Sequence, residues 1–239
     1  MHPDDHPTTP VDPTGTELLA FDLYDTVLDR VSTLEPALAG ILDAHGADAD
    51  AGVLLRRYLA MHFRDSLVDS LVGGDHTPFE TITERALRYR LDQVGVPATN
   101  AEVRAFVESW RELDAYPDCV EPFERLADEY ALVGLSNGDP GMLSAVTEDL
   151  AVPLDGWVSV AEAGRYKPNP APYELLCDRY GVAPADVAFV SAHTFDTVGA
   201  TAAGMAGVYL NRHDRPYGGW DRRPDLRVPD PAALADALL

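Results

Sequence analysis

The sequence predicts an α/β protein built on a doubly wound parallel sheet with an inserted helical cap. Three observations carry that prediction. Five apolar runs of strand length are too apolar to alternate, as strands buried on both faces must be. Helical patterns separate the later ones, which is the rhythm of a parallel sheet covered on both sides. Residues 32–115 break that rhythm with helical segments and no convincing strand.

Taken in order, residues 1–16 hold four prolines among polar residues, without a basic or apolar leader region. They read as a disordered tail and not as a signal peptide. Residues 17–31 open the core with the strand Leu18–Phe21. The block 32–115 follows, with helices expected at about Glu35–His45, Ala51–Leu71, Pro78–Val94 and Asn100–Leu113. The core resumes over 116–239. Its strands are expected at Ala131–Leu135, Trp157–Val160, Val187–Val190 and Gly207–Leu210, with helices at Glu121–Tyr130, Pro140–Leu150, Pro172–Tyr180 and Asp196–Ala203. A short edge strand and a closing helix fill Asp225–Leu239. In open α/β sheets the site lies beyond the carboxyl ends of the strands. A helical cap entering just after strand one would close over it and exclude water.

Composition narrows the partners. The 239 residues include 40 acidic and 18 basic ones, for a net charge of -22. The acidity is dispersed and the apolar fraction, 46%, is ordinary, so the chain is globular. Such a surface resembles that of proteins from salt-loving organisms. It argues against nucleic acid and anionic membrane, both of which need a positive patch. Cys119 and Cys177 form no CxxC pair or metal-ligand spacing, so a cytoplasmic protein with free thiols is expected.

Of the 18 basic residues only Lys167 is a lysine. A lysine kept where arginine is otherwise used suits a site that needs a compact point charge. Polar residues also gather where each strand ends: Asp22, Tyr24, Asp25 and Thr26 after the first, Ser136 and Asn137 after the second, Lys167 beyond the third, and Ser191, His193 and Asp196 after the fourth. A single Asp at a strand end is more often a turn residue. Four such ends in this order should converge on one spot.

The motifs FDLYDTVLD, LSNG, YKPNPAPYE and FVSAHTFDTVGA carry a resemblance. From residue 17 to 239 the chain resembles the haloacid dehalogenase superfamily, and within it the L-2-haloacid dehalogenase branch. The resemblance implies that Asp22 is a covalent nucleophile. Phosphatases of the superfamily place a second aspartate two residues later, to protonate a departing alkoxide. Here that position is Tyr24, a poor acid for the task. A halide leaves without a proton, so a dehalogenase loses nothing by the change.

The implied activity is hydrolysis of short 2-haloacids through an aspartyl ester, without metal or other cofactor. Lys167 would hold Asp22 ionised and Thr26 and Ser191 would orient it, while Asp196 completes the charged set. Ser136 would bind the substrate carboxylate and Asn137 would line the halide's exit. Tyr173 matches a site tyrosine of the family, and Phe79 and Phe195 match pocket walls. An arginine on the first cap helix grips the halide in the family; Arg56 and Arg57 both fall in that region. Relatives of this kind are often dimers, so a homodimer is one implied state.

Two departures stand out. Asp25 replaces a usual glycine, and His193 replaces an asparagine that helps place the hydrolytic water. A histidine could bind or deprotonate that water. Two other readings stay open on sequence: a Mg²⁺-dependent phosphatase with Asp22 and Asp196 as ligands and Asp25 as acid, and a non-catalytic binding protein. Natural substrate and stereopreference are not encoded in any motif.

Overall fold

The computed structural model describes residues 15–239; the expected tail lies, up to residue 14, outside the described residues. Six strands form one parallel sheet in the order β3-β2-β1-β4-β5-β6. They are β1 (Leu18–Phe21), β2 (Ala131–Ser136), β3 (Gly156–Ser159), β4 (Val187–Ser191), β5 (Ala206–Leu210) and β6 (Leu226–Val228). β1 lies at the centre, pairing with β2 on one side and β4 on the other. The strand order reverses there, and ligands of such sheets bind outside the carboxyl ends at this switch point.

Register explains why the central strands are apolar up to their last residue. Ala20 lies opposite Phe189 and Phe21 opposite Val190, so Phe21 and Phe189 face opposite sides of the sheet. Phe21 packs on Phe123, with ring centroids 4.5 Å apart, and Phe189 meets Tyr173 edge-on at 5.4 Å. Those partners belong to α5 (Val120–Ala127) and α7 (Pro170–Tyr180). Covered on both faces, β1 and β4 are buried along their whole length. α5 packs beside α9 (Pro231–Leu238), and α7 beside α8 (Thr194–Ala202). α6 (Pro140–Glu148) connects β2 to β3.

Between β1 and β2 the chain forms α1 (Arg30–Ala44), α2 (Ala51–Val72), α3 (Phe79–Gln93) and α4 (Asn100–Glu108), then a 3₁₀ turn at Ser109–Arg111. α1 starts five residues before the sequence pattern suggested. Pro36 reads as a first-turn proline, yet it lies inside the helix, and the true cap is Asp29, which accepts from the N–H groups of Val31 and Ser32. α4 begins with a capping box between Thr99 and Glu102. The helical block is tied to the sheet through Asp139, at the start of α6. Its carboxylate accepts from the N–H groups of Phe79 and Glu80, each at 3.0 Å, and so satisfies the first turn of α3. Among the described residues no helix is long and apolar enough to cross a membrane.

Leu19, in the middle of β1, is fully buried, whereas Arg56 on α2 is exposed. Leu19→Ala should therefore lower the unfolding free energy by about 3 kcal/mol in urea titration, a typical cost for a core leucine. Arg56→Ala should stay within about 0.5 kcal/mol of wild type.

Candidate active site

Asp22 follows β1 and has its backbone N–H anchored on the Val190 carbonyl at 3.0 Å. Its side chain is nearly buried. Oδ2 accepts from the Thr26 hydroxyl at 2.8 Å, and Oδ1 accepts from Lys167 Nζ at 2.9 Å. Lys167 donates twice more, to Asp196 Oδ2 at 2.7 Å and to the Leu135 carbonyl at 2.6 Å. All three donors of the ammonium are thus used. Burial alone would lower the lysine pKa, but Asp196 and Asp22 outweigh it and hold it above the ordinary value. The lysine is therefore a fixed cation.

The third partner, Asp196, is inaccessible to solvent and also accepts from the Tyr173 hydroxyl. α7 and α8 must lie close for this bond to form. Gly199 makes it possible: a Cβ there would collide with the Tyr173 ring and Pro168.

Asp22 opens into a cavity of about 280 Å³ lined by Tyr24, Arg30, Leu59, Ala60, His62, Phe63, Ser66, Phe79, Asn137, His193 and Phe195. Strand ends supply one wall, and α1, α2 and α3 supply the other. Tyr24 stacks on Phe79 with centroids 5.5 Å apart and meets Trp110 edge-on at 5.1 Å. Phe195 packs on Phe63 at 4.2 Å and stacks on His193 at 5.2 Å. His193 Nε2 lies 3.1 Å from the Tyr24 carbonyl and 3.8 Å from Asp22 Oδ2. Asn137 lines the cavity while its Oδ1 accepts from the Lys167 N–H at 3.1 Å.

The structure thus brings Asp22, Tyr24, Thr26, Phe79, Asn137, Lys167, His193, Phe195 and Asp196 together. Five expectations need correction. Arg56 and Arg57 are both exposed and absent from the cavity wall. α2 turns Leu54, Leu55 and Tyr58 inward, which sends 56 and 57 to solvent. Ser191 does not hold Asp22; its Oγ accepts from the His193 N–H at 3.0 Å and shapes the loop. Ser136 is fully buried and accepts from the Gly138 N–H, so it does not line the cavity. Tyr173 lies behind Asp196 and does not line it either.

Sequence reasoning missed Arg30, His62, Phe63 and Trp110. Arg30 sits only eight residues beyond Asp22, but at a helix start it reads as a solvated charge. His62 reads as part of an amphipathic stripe.

The phosphatase reading requires Asp25 to act as the acid. Its φ of 64° places it in the left-handed region, and its carboxylate pairs with Arg30. Burial pushes its pKa up, yet Arg30 first, then His193, pull it below the ordinary aspartate value. It stays ionised and bound, so it is not a general acid. Burial likewise pushes the Tyr24 hydroxyl far above an ordinary phenol, with Asp139 adding to the effect.

A buried carboxylate paired with a lysine at the switch point of a parallel sheet, facing a small cavity roofed by helices, is the arrangement of a hydrolase centre of the carboxylate-nucleophile class. A family model described as haloacid dehalogenase-like hydrolase matches residues 16–204. The chain belongs to that family. It is 33% identical over 199 residues to (S)-2-haloacid dehalogenase 4A of Burkholderia cepacia, covering 82% of this chain and 83% of the relative. It is also 33% identical to (S)-2-haloacid dehalogenase 1 of Pseudomonas sp. strain CBS-3, covering 82% and 85%. The crystal structure of an L-2-haloacid dehalogenase superposes with a TM-score of 0.86 at 26% identity, covering 93% of this chain and 98% of the other.

His62 generates a test of this site's electrostatics. Burial, reinforced by Arg30, pushes its pKa down to about 3, and its ring stays neutral against Thr83, 3.1 Å away. The unfolded chain binds the extra proton between about pH 6.5 and about pH 3, so stability is full above that window and declines as pH falls through it. Denaturant melts should show this residue costing about 2 kcal/mol between pH 7 and 5. His62→Gln should remove that part of the pH dependence.

Proposed function

We propose that this protein is a metal-independent hydrolytic dehalogenase of short 2-haloacids, with residues 32–115 acting as the cap. The observation that carries this reading is the state of Asp22. Its carboxylate is held by Lys167 and Thr26 and faces a small, largely apolar cavity with no competent acid beside it. The relatives named (S)-2-haloacid dehalogenase support the same substrate class.

The mechanism follows from the groups present. A carboxylate oxygen of Asp22 attacks the halogen-bearing Cα, and the C–X electron pair leaves with the halide. Cα inverts and an ester forms. Lys167 and Thr26 fix the carboxylate, so little reorganisation is needed. Water then adds to the Asp22 acyl carbon, the acyl–oxygen bond breaks, and the 2-hydroxyacid departs with one of the water's protons. The second proton is lost to solvent. His193 lies 3.8 Å from Asp22 Oδ2, which leaves it beside the ester. With Nε2 donating to the Tyr24 carbonyl, it positions the water and does not deprotonate it through that nitrogen.

A magnesium-dependent phosphatase fits poorly. The Lys167 ammonium sits between Asp22 and Asp196, the two carboxylates that reading assigns to the metal. Tyr24 and Asp25 are both unsuited to protonate an alkoxide.

Halide release from L-2-chloropropionate should proceed unchanged in EDTA. Asp22→Asn should abolish it, and Lys167→Met should reduce kcat by at least about 100-fold. His193→Ala should give a burst of halide, slow turnover and a trapped ester visible by intact mass. His193→Asn should retain turnover. Activity that requires added Mg²⁺ and a phosphate ester would overturn the proposal.

A further inference from the structure

The carboxylate of a 2-haloacid bears a full charge before, during and after reaction. A cavity that strips its water must offer it a partner. Lys167 is saturated by Asp22, Asp196 and the Leu135 carbonyl. Ser136 is buried away from the cavity, and Arg56 and Arg57 point to solvent. The cavity-facing residues of α2 are Leu59, Ala60, His62, Phe63 and Ser66, and none is a fixed cation. Among the described residues lining the cavity, Arg30 alone carries a permanent positive charge.

We propose that Arg30 anchors the substrate carboxylate and makes the site select acids over neutral halides. The inference rests on the 2-haloacid reading above and names the residue that reads the acid. Arg30 has a side chain only 17% exposed, and its Nη2 is tied to Asp25. Its Nε is buried without a hydrogen-bond partner among the described residues. A guanidinium has five donors in a rigid fork, so the bond to Asp25 fixes the fork's orientation and leaves others for a ligand. Tyr24 lines the same cavity, and its hydroxyl is also buried without a partner, which provides a second donor. Trp110, with its ring 6.0 Å from the Arg30 Cζ, covers part of the guanidinium. The reduced dielectric strengthens its pull on an anion. Asp25 and Arg30 therefore act as a unit: the aspartate accepts a left-handed backbone and in return holds the arginine in place.

The test compares 2-chloropropionate with 2-chloropropionamide, which has the same Cα and leaving group but no charge. Wild type should prefer the acid by roughly 100-fold in kcat/KM. Arg30→Gln should lose at least roughly 30-fold on the acid, mostly in KM, and little on the amide. Arg30→Lys should recover part of the acid preference. The double variant Asp25→Asn with Arg30→Gln guards against misfolding, since it leaves no unpaired carboxylate, and it should behave like Arg30→Gln. Calorimetric titration with D-lactate, the product expected of inversion, reads the same contact without turnover and should weaken at least roughly 30-fold in both variants. Arg30-dependent lactate binding in a wild type that releases no halide would overturn the dehalogenase reading and support the anchor. Unchanged lactate binding, or equal losses on acid and amide, would overturn the anchor.

Discussion

Everything in this site is organised around one ammonium group. Lys167 reaches two carboxylates and one carbonyl from three different strand ends, at 2.6 to 2.9 Å. Without it, Asp22 and Asp196 would be two buried negative charges on adjoining loops, an arrangement costing several kcal/mol. With it, the Asp22 carboxylate is paired, oriented and nearly buried. A planar guanidinium would not fit this place. It would present a flat fork to three acceptors that converge from different directions on a point. That is a physical reason for a chain with 18 basic residues to keep a single lysine.

The sheet was legible because its strands are buried on both faces, and burial on both faces writes itself as uninterrupted apolar runs. The convergence of Asp22, Thr26, Lys167, His193 and Asp196 was also legible, since topology alone carries parallel strand ends to one edge. Finer assignments failed where they depended on which way a side chain turns. Arg56 and Arg57 occupy a stretch of α2 whose buried residues are apolar, and a shift of a few residues moves a helical position to the opposite side. Ser136, Ser191 and Tyr173 lie near Asp22 but answer to backbone and carboxylate partners behind it. No sequence pattern distinguishes a hydroxyl facing a cavity from one facing the loop beneath.

Asp25 and Arg30 show how a departure from a resemblance can be explained from within. Read singly, an aspartate where relatives use glycine looks like damage, and an arginine at a helix start looks like solvation. Together they are a charge pair whose arginine lines the cavity, and the aspartate's backbone strain is offset by the contact it makes. Neither residue is intelligible without the other, and their separation by one turn of loop hid the link.

The clamp at Asp139 also bears on the shape of the cavity. One carboxylate holds the first two N–H groups of α3, so the helices and sheet are stitched together at that corner. Across the cavity, Phe63 meets Phe195 through ring contact. Apolar faces slide and part with little directional penalty, whereas two charge-assisted bonds do not. The roof is therefore held to the core by directional bonds at α3 and again at Ser70 of α2, whose Oγ accepts from the Tyr166 N–H at 2.7 Å, and by ring contact alone between Phe63 and Phe195. Both rings also wall the cavity, so their bulk, and not the charged groups below them, limits the space that a ligand can occupy there.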